Sequence, residues 1–154
     1  DLADKKKEVS NRDIEALVAD QTSDVPETFK LESVHVVSGT QERPRAKVRL
    51  SREGKSVETE ETGDGPVDAV FKCIAKLTQT ESTLVDYIIQ AITGGTDALG
   101  EVAIRIEKNG DIFSGHGSHT DIIVSSAKAY LNALNKLASA TADGAKRLKP
   151  TESV

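Results

Sequence analysis

The chain has no tryptophan and no methionine, and its 154 residues hold only three phenylalanines, two tyrosines, four prolines and one cysteine. With so few rings, a packed core has to be made from Val, Ile, Leu and Ala. The single thiol, Cys73, excludes an internal disulfide and is compatible with a reducing compartment. It lies between Phe71 and Ile74 on a helical stripe with no base close in sequence, so it reads as a buried, unreactive thiol rather than a nucleophile. No apolar run approaches the roughly 20 residues that cross a bilayer, and these residues carry no signal-peptide pattern. No membrane partner is expected, and a cytoplasmic location is. A basic face is lacking too: 25 acidic against 20 basic residues leave a net charge of −5. The clusters Lys5-Lys6-Lys7 and Lys146-Arg147 read as solvated helix ends, so no nucleic-acid partner is expected.

What is present is one plan used twice. Phe29 to Val37 is strand-like, with Phe29, Leu31 and Ser33 expected on one face and Val34 and Val36 on the other. Ala46, Val48 and Leu50 alternate with Lys47, Arg49 and Ser51, the pattern of a half-buried strand. Glu53-Gly54 is a tight hairpin, and Val57 to Thr62 returns with an acidic face at Glu58 and Glu60. Gly63-Asp64-Gly65 then opens an amphipathic helix from Pro66 to about Leu77, where the missing proline N–H costs nothing. In the second half, Leu84 to Ile92 reads as a strand. Val102, Ile104 and Ile106 alternate with charges, and Asn109-Gly110 is a strong hairpin signal. Gly115-His116-Gly117 closes the return strand before a wide helical stripe from Asp121 to about Ala138. The fold class is therefore α+β, with duplicated βββα units packed together to share a core.

The edges of the chain read differently. Asp1 opens a charged, helix-compatible segment, and Ser10 to Val18 carries a capping pattern and a short apolar stripe. Residues 1–22 are expected to be the end of a helical subdomain, 21–27 a linker, 28–140 the domain proper and 141–154 a polar, frayed tail. A chain that begins in this way is expected to be a piece of a longer protein.

The candidates for chemistry are sparse. His116 and His119 sit beside Asp121, two histidines where a metal needs three or four ligands, so hydrogen-bonding and capping roles are expected, with Thr120 or Asp121 as the cap. No cofactor is expected in these residues. The two Gly-x-Gly elbows lack the continuation of a P-loop or a dinucleotide fingerprint, yet a helix N-terminus behind each is a natural seat for a carboxylate. Leu84, Tyr87, Ala91 and Ala98 could line a small aliphatic pocket beside them or could be ordinary core.

The ordered set Gly63-Asp64-Gly65-Pro66-Val67-Asp68-Ala69, Leu84-Val85-Asp86-Tyr87, Gly95 to Val102, Gly115-His116-Gly117-Ser118 and Thr120-Asp121-Ile122-Ile123 resembles the C-terminal allosteric domain of 2-isopropylmalate synthases, which the related citramalate synthases share. The resemblance runs from about Thr28 to Ala138. It implies a duplicated βββα domain that forms a homodimer and binds the pathway's end product, L-leucine or, in citramalate synthases, L-isoleucine. It also implies that a TIM-barrel catalytic domain, with its divalent metal and its condensation of acetyl-CoA with 2-oxoisovalerate, lies outside these residues. Carried over by position, the effector site falls on Gly63, Gly65, Ala69, Leu84, Tyr87, Ala91, Ala98 and Ser118, with Asp64, Asp68 or Asp97 facing the ammonium. A sensing module of another pathway, and a self-contained enzyme using His116 or Cys73, are the competing readings.

Overall fold

In the computed structural model, which describes residues 25–92 and 99–152, six strands and two helices follow in the order β1 (Phe29–Val37), β2 (Arg45–Arg52), β3 (Lys55–Thr62), α1 (Pro66–Thr78), β4 (Thr83–Ile92), β5 (Leu99–Lys108), β6 (Asp111–His119) and α2 (Ile122–Glu152). They make two three-stranded antiparallel sheets, β1-β2-β3 and β4-β5-β6, each followed by its helix. The duplicated βββα architecture is therefore observed. The helical remnant expected before residue 23 lies outside the described residues.

Both central hairpins use the same turn. Glu53 and Gly54 have φ of 52° and 83°, and Asn109 and Gly110 have 54° and 85°. Two successive left-handed residues match the twist of the flanking strands, and glycine takes the second position without a Cβ penalty. Alternation along β2 and β5 then buries Ala46, Val48 and Leu50 in one unit and Val102, Ile104 and Ile106 in the other.

The first strand of each unit departs from simple alternation. Pairing steps from Leu31–Leu50 to Ser33–Arg49, so Glu32 bulges out and the phase of the strand changes. Phe29, Leu31, Val34 and Val36 consequently pack on the same core, which corrects the expectation that they divide between two faces. β4 does the same: pairing steps from Leu84–Ile106 to Asp86–Arg105, with Val85 as the extra residue. Leu84, Tyr87 and Ile89 lie opposite the buried Ile106, Ile104 and Val102, on the inner face.

The two Gly-x-Gly motifs are not structural copies. Along matching ladders, Gly115 and Gly117 pair with Ile104 and Val102, whereas the same places in the first unit, opposite Val48 and Ala46, hold Thr59 and Glu61. Gly115 and Gly117 lie inside β6, which continues to His119, and they form a groove for α2. A Cβ on Gly115 would stand 2.0 Å from the Ala129 carbonyl oxygen, and one on Gly117 would stand 2.2 Å from that of Ser125. Contacts that short with backbone leave glycine as the residue that fits.

The helices form the middle layer. α1 packs on β2 and β3, α2 on β6 and β5, and the helices pack on one another and on β1. One hydrophobic cluster includes Val48 and Leu50 from the first sheet, Ile74 and Leu77 from α1, Ile104 and Ile106 from the second sheet, and Leu134 and Leu137 from α2. The second helix, expected to end near Ala138, extends to Glu152.

Three polar residues on α2 close strand edges. Asn135 accepts from the Phe29 N–H at 2.7 Å and donates to the Phe29 carbonyl at 2.9 Å, so its amide stands in for a neighbouring strand. Asn132 accepts from the His116 N–H at 3.0 Å, and Lys136 Nζ donates to the Ser114 carbonyl at 2.6 Å. A single helix thereby fastens the outer edge of β1 and that of β6, groups that would otherwise be open to pairing with another chain.

Candidate functional site

The elbow between β3 and α1 is built from its own polar groups. Gly63 is buried, and a Cβ there would lie 2.5 Å from the Ala69 nitrogen. Arg43 Nε donates to the Gly63 carbonyl at 3.3 Å, and its guanidinium is 3.4 Å from Asp64. Asp68 reaches back to accept from the Asp64 N–H at 2.9 Å and pairs with Lys72 at 3.1 Å. That N–H and the ammonium hold the Asp68 carboxyl below its usual range. Gly65 is the N-cap and offers no side chain to the first-turn N–H groups of α1. Those N–H groups and the positive end of the helix dipole remain suited to a carboxylate.

Tyr87 ties β4 to both helices. Its ring meets Phe71 of α1 edge-on at 6.0 Å, and Phe71 in turn lies 4.7 Å from Tyr130 of α2. Its hydroxyl is 2.6 Å from Ser126 Oγ, close to the start of α2. On either side of Tyr87 the inner face of β4 is uncovered: Leu84 is 46% exposed and Ile89 is 52% exposed. Exposed aliphatic side chains flanking a half-buried tyrosine form an apolar wall.

Of the residues carried over by resemblance, Gly63, Gly65 and Ala69 share the α1 elbow, with Ala69 fully buried. Leu84 and Tyr87 share the inner face of β4 because of the bulge at Val85. Ala91 pairs with Gly100, and Ser118 pairs with the next residue, Glu101, so both sit at one end of the second sheet. Ala98 and Asp97, like the side chain of Ala91, lie outside the described residues. Pattern reading missed Ile89, Ser126 and the edge-closing trio on α2. For Asn132, Asn135 and Lys136 a signal existed: three polar residues set within an otherwise apolar helical stripe.

Other candidates resolve into structure. Cys73 is fully buried with Sγ 3.3 Å from the Ala46 carbonyl, and burial pushes its thiol up to about 11, far from a nucleophile's range. His116 Nε2 lies 3.2 Å from Glu101. His119 Nδ1 accepts from the Asp121 N–H at 2.9 Å, and Asp121 caps α2 by accepting from the Ile123 N–H at 2.8 Å. Among the described residues, no group of three His, Cys, Asp or Glu side chains is placed to hold a metal. Among the same residues, no helix is long and apolar enough to cross a membrane. A cavity of about 320 Å³ lies elsewhere, between the start of β1 and α2.

Known proteins resemble this chain in sequence. The family model described as the LeuA allosteric (dimerisation) domain matches residues 8–138. The 2-isopropylmalate synthase of Heliobacterium modesticaldum is 48% identical over 136 residues, covering 88% of this chain and 27% of that protein. That of Gloeobacter violaceus is 49% identical over 138 residues, covering 89% and 26%. That of Trichodesmium erythraeum is 43% identical over an alignment that covers all of this chain and 30% of the relative. The chain thus spans roughly a quarter to a third of the length of these relatives. With most of its length matched, the chain belongs to the LeuA allosteric (dimerisation) domain family.

Proposed function

We propose that this chain is the regulatory part of a 2-isopropylmalate synthase, that residues 28–140 bind L-leucine as a feedback effector, and that two copies pair through this domain. The observation that carries the reading is the uncovered inner face of β4, where the bulge at Val85 sets Leu84 beside Tyr87 and next to α1. An isobutyl group laid on Leu84, Tyr87 and Ile89 would leave the effector's carboxylate to the uncapped first turn of α1 at Gly65. Burying that group is worth about 2–3 kcal/mol, whereas micromolar affinity needs about 8 kcal/mol. The charged ends of the effector and closure by a second copy supply the difference. Asp68 is already engaged by the Asp64 N–H and by Lys72, whereas the Asp64 carboxylate is exposed and meets only Arg43 at 3.4 Å, so Asp64 is the better partner for the ammonium.

Effector binding acts at a distance only through unequal affinity for two states of the whole protein. The condensation of acetyl-CoA with 2-oxoisovalerate, and the divalent metal it uses, belong in this reading to a barrel encoded before these residues, in the cytoplasm. Calorimetry on this chain tests the proposal. L-Leucine gives saturable heat, and Leu84→Asp weakens binding by tenfold or more while leaving the urea midpoint unchanged, since Leu84 is exposed. An absence of heat with both L-leucine and L-isoleucine would overturn it.

A further inference from the structure

The cavity between the start of β1 and α2 has no lining residue in the elbow or in β4, and its chemistry is legible. Its apolar floor is Phe29, Leu31 and Leu131. Lys30 and Lys128 stand at its rim, both exposed, and among the described residues neither has a carboxylate within ion-pair distance. Asn135 forms a fixed wall, because both ends of its amide are held by the Phe29 backbone. Asn132 also lines the space, and its oxygen is engaged by the His116 N–H, so the group it has left is its amide NH2. The polar groups available are thus mainly donors, two of them cationic, around an aliphatic floor. Glu27, at the same rim, is the one acid. A volume of about 320 Å³ stands at the small end of ligand sites, which run from about 300 to 1,000 Å³.

We infer that this cavity is a second binding site, for a small aliphatic carboxylate. Its tail lies on Leu31, Phe29 and Leu131, and its carboxylate accepts from Asn132 and from the two lysines. With an α-ammonium group the ligand also meets Glu27; without one it does not. The site stands independently of the leucine reading, since it shares no residue with the elbow or with β4.

Leucine-methyl NMR on this chain tests both sites in one titration, using isocaproate, L-leucine and isoamylamine as probes. Isocaproate shifts the Leu31 and Leu131 methyls saturably, along with the Asn132 side-chain amide, and isoamylamine does not. The Lys30→Glu/Lys128→Glu double variant, altered only at exposed positions, weakens isocaproate tenfold or more. Tighter binding of L-leucine than of isocaproate at these methyls identifies the ligand as an amino acid; the reverse identifies it as a simple or 2-oxo acid. Shifts confined to the Leu84 methyls overturn this inference and leave the leucine reading standing. Silence at Leu31 and Leu131 with every probe, an equal response to isoamylamine, or an affinity the double variant does not change, overturns it as well.

Discussion

The two βββα units share a turn, a bulge and a strand order, yet their helices serve them differently. In the first unit the inner face of β1 is covered by α2, the helix of the other unit. In the second, β4 should receive the same service from α1, but α1 ends at Thr78, with Gln79 in the left-handed region at φ 53°. Counting along the two helices from their caps at Gly65 and Asp121, Gln79 stands where α2 has Asn135. The shorter helix stops at the residue that, in the longer one, binds the edge of the opposite sheet. Leu84 and Ile89 on the inner face of β4 are exposed, whereas Phe29 of β1 is buried and held by Asn135.

The units also differ in how tightly helix meets sheet. α1 stands off β3 far enough for Thr59 and Glu61, with Cys73 reaching between the strands, whereas α2 lies directly on Gly115 and Gly117. The most severe way to break this difference is Gly117→Ala. With backbone on the other side of the contact, neither partner yields easily, and a loss of at least about 4 kcal/mol is expected in urea unfolding. Glu61→Ala, at the corresponding place in the first unit, is expected to change stability by about 0.5 kcal/mol. Equal effects would show that the two helix–sheet contacts do not differ as described.

Next in size is Asn135→Ala. It strands both backbone groups of Phe29 in a buried position, and about 3 kcal/mol is expected from two unsatisfied groups. Hydrogen exchange at Phe29 should rise with it. Gln79→Ala, the counterpart in α1, should move neither measurement appreciably.

The smallest effect sharpens the contrast through pH. Lys136 is buried and its pKa falls from 10.5 to about 8 because burial disfavours the ammonium. The unfolded chain therefore binds more protons than the folded chain between those values, and stability rises with pH across that window. Between about pH 7 and about pH 9 the gain attributable to Lys136 is about 1.4 kcal/mol. Urea midpoints at the two pH values should show it in the native chain and lose it in Lys136→Met.

Much of this was readable from the residues alone. Alternation at Ala46, Val48 and Leu50, the two hairpin dipeptides and Pro66 at a helix start each follow from local chemistry, and they fixed the order of elements. The bulges were not readable, because a bulge is a property of two strands in register and leaves no fixed residue type in one of them. That is why Leu31 and Val34 were expected on opposite faces. Gly115-His116-Gly117 misled for a related reason. A glycine that relieves a turn and one that admits a helix look alike in sequence, and the ladder position tells them apart. Within the candidate site, Leu84 and Tyr87 stood out as a possible pocket lining or ordinary core, and resemblance chose between the two. Their presence on one face came only with the coordinates.

The amides and the ammonium of α2 have one further consequence. Asn135, on the helix of the second unit, completes a strand of the first, so the first half lacks a group that finishes its own sheet, whereas Asn132 and Lys136 finish β6 from within the second. A protein cut between Gln79 and Thr83 would not yield two smaller folded pieces: the leading fragment would expose the Phe29 edge, and the trailing one would carry an amide with nothing to hold. The duplication can be read in the sequence, but the folded domain is indivisible.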